Sequence, residues 1–244
     1  MIYKFSSLLE RCFAYMQGKG YVASLEKEVD LLISSIGNKA NIAIDIGGNT
    51  GSYTDELLKR NPNLTIHIFE PSKTNLQVLN DKFKKNKRIA INPLAVSDTT
   101  GTAILFSNEP GSGMGSLTKR KLDHVGINFE ITESISTIRF EEYWIEKLNS
   151  CEIDFVKIDV EGHELSVLNG FGAALFKTKS IQFEFGGTCI DTRVFFQDFW
   201  HFFSKNNYQI YRITPFGLQK IEAYRECDES FYYTNFIAVN NLYK

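Results

Sequence analysis

The sequence predicts a doubly wound α/β domain, and three observations predict it. From Asn41 onward short apolar runs alternate with helical segments, several of those runs are apolar on both faces, and the first ends in a glycine-rich turn that opens a helix. Alternation of this kind builds a mostly parallel sheet covered by helices on both sides, with ligands at the carboxyl ends of the strands. The 244 residues are 43% hydrophobic and 23% charged, which suits one such core with a short extension.

Residues 1–40 read as an N-terminal helical extension. Leu9, Phe13 and Met16, then Leu25, Val29, Leu32 and Ile36, recur at helical spacing, and Gly18 and Gly20 mark a turn between two helices. The extension is placed to cover the sheet edge or the ligand cleft. Residues 41–244 read as the α/β domain. Its expected strands are 42–46, 65–69, 89–96, 153–160, 181–185 and 208–213, and its expected helices 52–60, 72–85, 163–169 and 192–206. The run 232–239 follows another strand closely and fits an antiparallel partner beside it. Between residues 97 and 140 the alternation lapses. There Gly111-Ser-Gly-Met-Gly-Ser is either a lid over substrate or cofactor or an exposed hairpin connection. Phe195, Phe196, Phe199, Trp200, Phe202 and Phe203 form an aromatic stripe, read as core packing in preference to an acceptor pocket or a homodimer face.

Bulk properties exclude several classes. A net charge of −2 gives no field that collects nucleic acid, and the basic run 82–88 reads as a solvated helix end. No apolar run is long enough for a membrane span, and the start lacks the apolar stretch of a secretory signal. Cys12, Cys151, Cys189 and Cys227 are scattered without paired spacing, which argues against a zinc site or a disulfide scaffold and fits a reducing cytoplasm. His67, His124 and His201 read as packing or surface residues.

The nucleotide signal is Ile42-Ala-Ile-Asp-Ile-Gly-Gly-Asn-Thr-Gly51, a strand running through a turn into a helix. Gly47, Gly48, Asn49 and Gly51 let the backbone approach a ligand at a helix N-terminus, where free N–H groups favour a carboxylate or phosphate. Asp45 at the strand end accepts from an ammonium or orders water. Glu70 ends the next strand about 20 residues beyond the glycines, where a carboxylate binds ribose hydroxyls in a βαβ nucleotide site. Pro71 holds Glu70 extended, and Ser72 is placed to cap the following helix. The spacing Gly47-x-x-x-Gly51 matches neither GxGxxG nor a phosphate-binding loop, so adenosine with an amino-acid tail fits better than a pyrophosphate. After the third strand, Ser97 or Asp98 is placed to bond an adenine amino group, although a plain turn explains both.

The second motif is Ile153-Asp-Phe-Val-Lys-Ile-Asp-Val-Glu-Gly-His-Glu-Leu. Lys157, Asp159 and Glu161 share one side of an extended strand, Asp159 falls near its carboxyl end, and His163 begins the next helix. Glu184 ends the following strand at the same edge. Together with Asp-Ile-Gly-Gly-Asn-Thr-Gly and Phe-Glu-Pro, the string Val-Lys-Ile-Asp-Val-Glu-Gly-His-Glu resembles the FkbM family of methyltransferases, over about residues 41–239. The resemblance implies a Rossmann-like, seven-stranded methyltransferase sheet with an antiparallel last strand. It also implies S-adenosylmethionine as donor and a hydroxyl acceptor on a sugar, a glycan or glycolipid component, or a natural product. Many members carry Thr-Leu-Asp before the fourth strand; this chain has Ser-Thr-Ile-Arg-Phe, with Arg139 at the acidic position.

Methyl transfer from a sulfonium is an in-line displacement that requires alignment and removal of the acceptor's proton. Asp159, Glu161 or His163 is expected to take that proton, with Glu184 orienting the acceptor. Lys157 either keeps Asp159 ionised or forms a structural ion pair with it. The same carboxylates also suit Mg²⁺, but no explicit ligand set specifies a metal. A non-catalytic module with the same nucleotide pocket is the alternative from another class.

Overall fold

The structure, a computed structural model, describes residues 2–36 and 40–243. Two helices, α1 (Ile2–Met16) and α2 (Leu25–Ile36), precede the sheet. The alternating part begins with β1 (Ile42–Ile46), α3 (Ser52–Arg60), β2 (Thr65–Phe69), α4 (Lys73–Phe83) and β3 (Ile89–Asn92). The irregular region then supplies β4 (Ala95–Ser97), β5 (Gly101–Ser107) and β6 (Ile131–Arg139), followed by α5 (Phe140–Leu148). Alternation resumes with β7 (Ile153–Ile158), α6 (Glu164–Asn169), β8 (Thr178–Phe185), α7 (Thr188–Thr192) and α8 (Phe196–Lys205). The chain closes with β9 (Tyr208–Thr214), β10 (Gly217–Lys220) and β11 (Thr234–Asn240).

The main sheet runs β10-β9-β11-β8-β7-β1-β2-β3. β1, β2, β3, β7 and β8 pair in parallel, and β11 inserts antiparallel between β8 and β9. The expected antiparallel last strand is therefore present, but the sheet has eight strands, not seven. The eighth is β10, which folds back on β9 at the sheet edge, with Gly217 opposite Thr214. Its sequence, Gly-Leu-Gln-Lys, is short and half polar because an edge strand buries little, so periodicity gives no signal for it.

A second correction concerns the expected strand 89–96. Pro93 cannot donate to a ladder, β3 stops at Asn92, and β4 leaves for a separate three-stranded sheet, β4-β6-β5. That small sheet carries the irregular region up to the carboxyl end of the main one.

Both faces of the main sheet are covered. α2, α3 and α4 pack on one side through Val29, Leu32, Tyr53, Leu57, Leu79 and Phe83, against Ala43, Ile66, Phe155 and Ile237. α5, α6 and α8 pack on the other against Ile44, Val156, Ile158 and Phe183. Of the aromatic stripe, Phe196, Phe199 and Phe203 are core, while Trp200 and Phe202 are half-buried and Phe195 is exposed. Phe183 lies 4.9 Å from Phe199, 5.0 Å from Phe203 and 5.4 Å from Phe236, ring centre to ring centre. Phe183→Ala is expected to cost about 3–5 kcal/mol, read as a lower urea midpoint at unchanged slope.

Candidate functional site

The carboxyl ends of β1, β2 and β7 hold the candidate site, as open-sheet topology dictates. β1 buries on both faces and delivers Asp45 into the protein, where Thr54 of α3 donates to its Oδ2 at 2.6 Å. Burial pushes the Asp45 carboxyl up to about 6. The turn that follows is locked to β2, since the N–H groups of Gly47 and Gly48 both donate to the Phe69 carbonyl, at 2.9 and 3.1 Å. Gly47 has φ +84°, and a Cβ there would run into the carbonyl of Asp159. Gly51 directly precedes α3, whose first turn no side chain caps.

Glu70 is buried at the end of β2 and held from both sides. Asn49 donates its N–H to Oε2 and Ser72 donates its N–H to Oε1, each at 2.8 Å. This fixes the carboxylate plane and leaves lone pairs for a diol; burial raises its pKa. Ser72 occupies the N-cap position of α4 but its side chain caps nothing there. The carboxylate of Glu133, from β6, reaches that helix end instead, accepting from the Lys73 N–H at 3.2 Å and the Ser72 hydroxyl at 3.3 Å.

A cavity opens beside Glu70, walled by Phe69, Asn75, Leu94, Val96, Leu105 and Leu117 and roofed by Ser112, Gly113 and Gly115. The irregular segment thus lies over this cavity. Gly47, Asn49 and Asp159 line both this cavity and a second one, which continues past Asp45, Thr50, Ser52, Tyr53 and Lys157 to Glu28 and Tyr233. Of the expected adenine contacts, Ser97 and Asp98 do not line the cavity. The Ser97 hydroxyl donates to Asp98 at 3.1 Å, and the apolar Leu94, Ala95 and Val96 take the place expected for them.

The second motif is brought to the same edge. Lys157 is buried in β7 with its ammonium 3.3 Å from Asp159, and Asp159 keeps 36% of its side chain exposed. Burial works against the Lys157 charge, but Asp159 and Glu28 hold its pKa well above the ordinary lysine range. Glu161 has a left-handed backbone (φ 54°) unusual outside glycine, and its carboxylate accepts from Arg120 at 2.9 Å. Burial, with Asp159 nearby, pushes Glu161 up to about 8. His163 shares a hydrogen bond of 2.9 Å between Nε2 and the Thr118 hydroxyl, and burial lowers its pKa. Glu184 is buried, and both burial and the carboxylates of Asp159, Glu164 and Glu161 raise its pKa well above the carboxylate range.

Sequence reasoning missed Arg120 and Thr118, and it took in Ser116 only as the end of the glycine-rich stretch. Ser116 donates to the Glu161 carbonyl at 2.7 Å, so the three residues fasten one segment across Glu161 and His163. The signal available for them was weak: an arginine flanked by lysines in a segment without periodicity. Glu164 was also missed. Its Oε1 accepts from the N–H groups of Val160 and Gly162 at 3.1 and 3.2 Å, while its buried Oε2 has no partner. No three His, Cys, Asp or Glu residues among the described residues converge as a metal-binding group.

Burial pushes the Glu164 carboxyl up from 4.5 to about 7. The folded chain then binds more protons than the unfolded chain between those values, so this contribution is full below pH 4.5 and lost as pH rises through 7. Glu164→Gln is expected to flatten the decline in stability between pH 5 and 8 by roughly 2–3 kcal/mol, measured by denaturant titration at each pH.

A glycine turn at the end of β1, an anchored acid at the end of β2 and polar groups after β7 define a nucleotide-binding α/β protein of the methyltransferase class. Residues 45–210, more than half of the chain, match the Methyltransferase FkbM domain, and the chain belongs to the FkbM methyltransferase family. It is 25% identical over 189 residues to the 2-O-methyltransferase NoeI of Sinorhizobium fredii (strain NBRC 101917 / NGR234), covering 73% of this chain and 77% of that relative. Solved structures similar to it include the precorrin-6y C5,15-methyltransferase of Geobacter metallireducens, 13% identical, covering 87% of each chain, with a TM-score of 0.45. Another is an rRNA methylase of Streptococcus thermophilus, 8% identical, covering 90% of this chain and 98% of that one, with a TM-score of 0.48. Membership implies S-adenosylmethionine, and the residues fit it: a fixed carboxylate for the ribose, an apolar slot for the base, and a turn that only glycine permits at Gly47. Among the described residues no helix is long and apolar enough to cross a membrane.

Proposed function

We propose that the protein transfers a methyl group from S-adenosylmethionine to a hydroxyl of a sugar, glycan or glycolipid component, and that Asp159 takes the hydroxyl proton. One observation carries this reading: Asp159 lines both cavities, at their junction, whereas the other two candidate bases are engaged by the overlying segment, Glu161 by Arg120 and His163 by Thr118. The bound donor supplies an electrophilic methyl on a cationic sulfur. The Asp159 carboxylate at that junction gives it a negative character that suits that cation. Glu70 holds the ribose, and Leu94, Val96, Leu105 and Leu117 enclose the base. Lys157 fixes Asp159 at 3.3 Å. Oxygen as the acceptor atom is supported by the 2-O-methyltransferase relative, and a carbohydrate acceptor by the family resemblance. The free cysteines Cys12, Cys151, Cys189 and Cys227 support a reducing, cytoplasmic setting.

Calorimetry with S-adenosylmethionine and S-adenosylhomocysteine, followed by labelled-methyl transfer to a glycan panel, tests the proposal. Binding that Glu70→Ala weakens by about 10- to 100-fold, with transfer to a hydroxyl, is the expected result. Donor binding without transfer to any acceptor favours the non-catalytic module, and no donor binding by folded protein overturns the reading.

A further inference from the structure

The second cavity reaches beyond the family-matched residues. Val22, from the segment before α2, and Leu25 and Glu28 of α2 line it together with Tyr233 and Lys157. Resting on the donor reading above, we propose that Lys157 is the receptor for the α-carboxylate at the amino-acid end of the donor, in a pocket that α2 completes.

Four observations carry this. The pocket is continuous with the adenosine cavity through Gly47, Asn49 and Asp159, so a ligand anchored at Glu70 by its ribose extends into it. Its lining carries both signs needed by an amino acid, with one ammonium, Lys157, for a carboxylate and the carboxyl groups of Glu28, Asp45 and Asp159 for an ammonium. The Lys157 ammonium is under-used. Its contacts are Asp159 at 3.3 Å, long for a charge-assisted hydrogen bond, and the face of Tyr53 at 5.6 Å, while an ammonium carries three donors. Asp159 and Glu28 already hold the group charged, and a ligand carboxylate would take up its remaining donor capacity. Finally, the uncapped first turn of α3 opens on the same pocket through Thr50, Ser52 and Tyr53, adding backbone dipoles of the right sign.

The position of Lys157 is set from α2. The Tyr53 hydroxyl donates to Gln182 at 2.6 Å, Gln182 donates to Glu28 at 2.7 Å, and Asn235 donates to the other Glu28 oxygen at 3.0 Å. This buried chain ties the N-terminal helix to β8, β11 and α3 and fixes the aromatic wall against which Lys157 lies.

Three ligands separate the parts of the claim: S-adenosylhomocysteine, its decarboxylated form, which keeps the ammonium, and 5′-methylthioadenosine, which has neither group. Wild-type protein is expected to bind S-adenosylhomocysteine about 10- to 100-fold more tightly than the decarboxylated form, and Lys157→Met to reduce that preference to within about threefold. Equal affinity of the wild-type protein for these two ligands overturns the proposal without any variant. A full preference retained by folded Lys157→Met overturns it as well. If neither S-adenosylhomocysteine nor 5′-methylthioadenosine binds, the donor reading itself has failed. If 5′-methylthioadenosine binds as tightly as S-adenosylhomocysteine, the adenosine cavity stands and the carboxylate receptor falls.

Discussion

Asp159→Asn is expected to lower the single-turnover rate of methyl transfer by about 10²- to 10⁴-fold, the range for removing a positioned general base. The substitution keeps the side-chain volume and leaves the turn around it intact, so binding of S-adenosylhomocysteine is expected to stay within about threefold. That split between chemistry and binding is the diagnostic. An interaction made only during reaction lowers kcat and kcat/KM together, whereas a lost ground-state contact raises KM. His163→Gln is the matched control. Its Nε2 already shares a hydrogen bond with Thr118, so the glutamine variant is expected to keep most of the wild-type rate. The reverse pattern, a silent Asp159→Asn and an inactive His163→Gln, would move the base to the imidazole, which burial keeps neutral and able to accept a proton.

The parts of this site that the sequence made legible are those coded by local pattern. β1 and its glycine turn were readable because an apolar run, a change of backbone rule and a helix follow one another within ten residues. Glu70 was readable because its distance from the turn is set by the length of one βαβ step, and Asp159 because β7 has an abrupt polar end. What failed has equally local causes. The reading of residues 89–96 as one strand followed hydrophobicity across Pro93 and so missed the exit of β4 into the second sheet. β5 and β6 bury little on either face, so Gly101–Ser107 and Ile131–Arg139 carry weak alternation. Ser97 and Asp98 were read either as base contacts or as a plain turn from their place after the third strand, and neither lines the cavity, whose wall there is Leu94, Ala95 and Val96. Arg120, Thr118 and Glu28 have no local signature, because what brings each to the site is long-range closure of a loop or a helix over the sheet edge.

Gly47→Ala is expected to damage folding and donor binding together, and a second glycine shows why. Gly47 and Gly126 both have left-handed backbones, with φ of +84° and +77°. A side chain in that conformation costs about 1–3 kcal/mol at either place. They differ in surroundings: a Cβ on Gly126 meets nothing within 4 Å, whereas one on Gly47 meets the backbone carbonyl of Asp159. A backbone oxygen cannot rotate away as a flexible side-chain end can, so the turn and β7 must separate, at a further cost of about 1–3 kcal/mol. Chemical denaturation is therefore expected to show Gly47→Ala as the less stable variant by at least about 1 kcal/mol. Gly47 itself lines both cavities, so the separation deforms the wall the donor lies against, and affinity for S-adenosylhomocysteine should fall by about tenfold or more, with Gly126→Ala unchanged. Equal stability and equal affinity of the two variants would mean that the approach of the turn to β7 is looser than the geometry requires. In that case Gly47 would be required for its torsion alone, with no part in shaping the wall of the donor cavities.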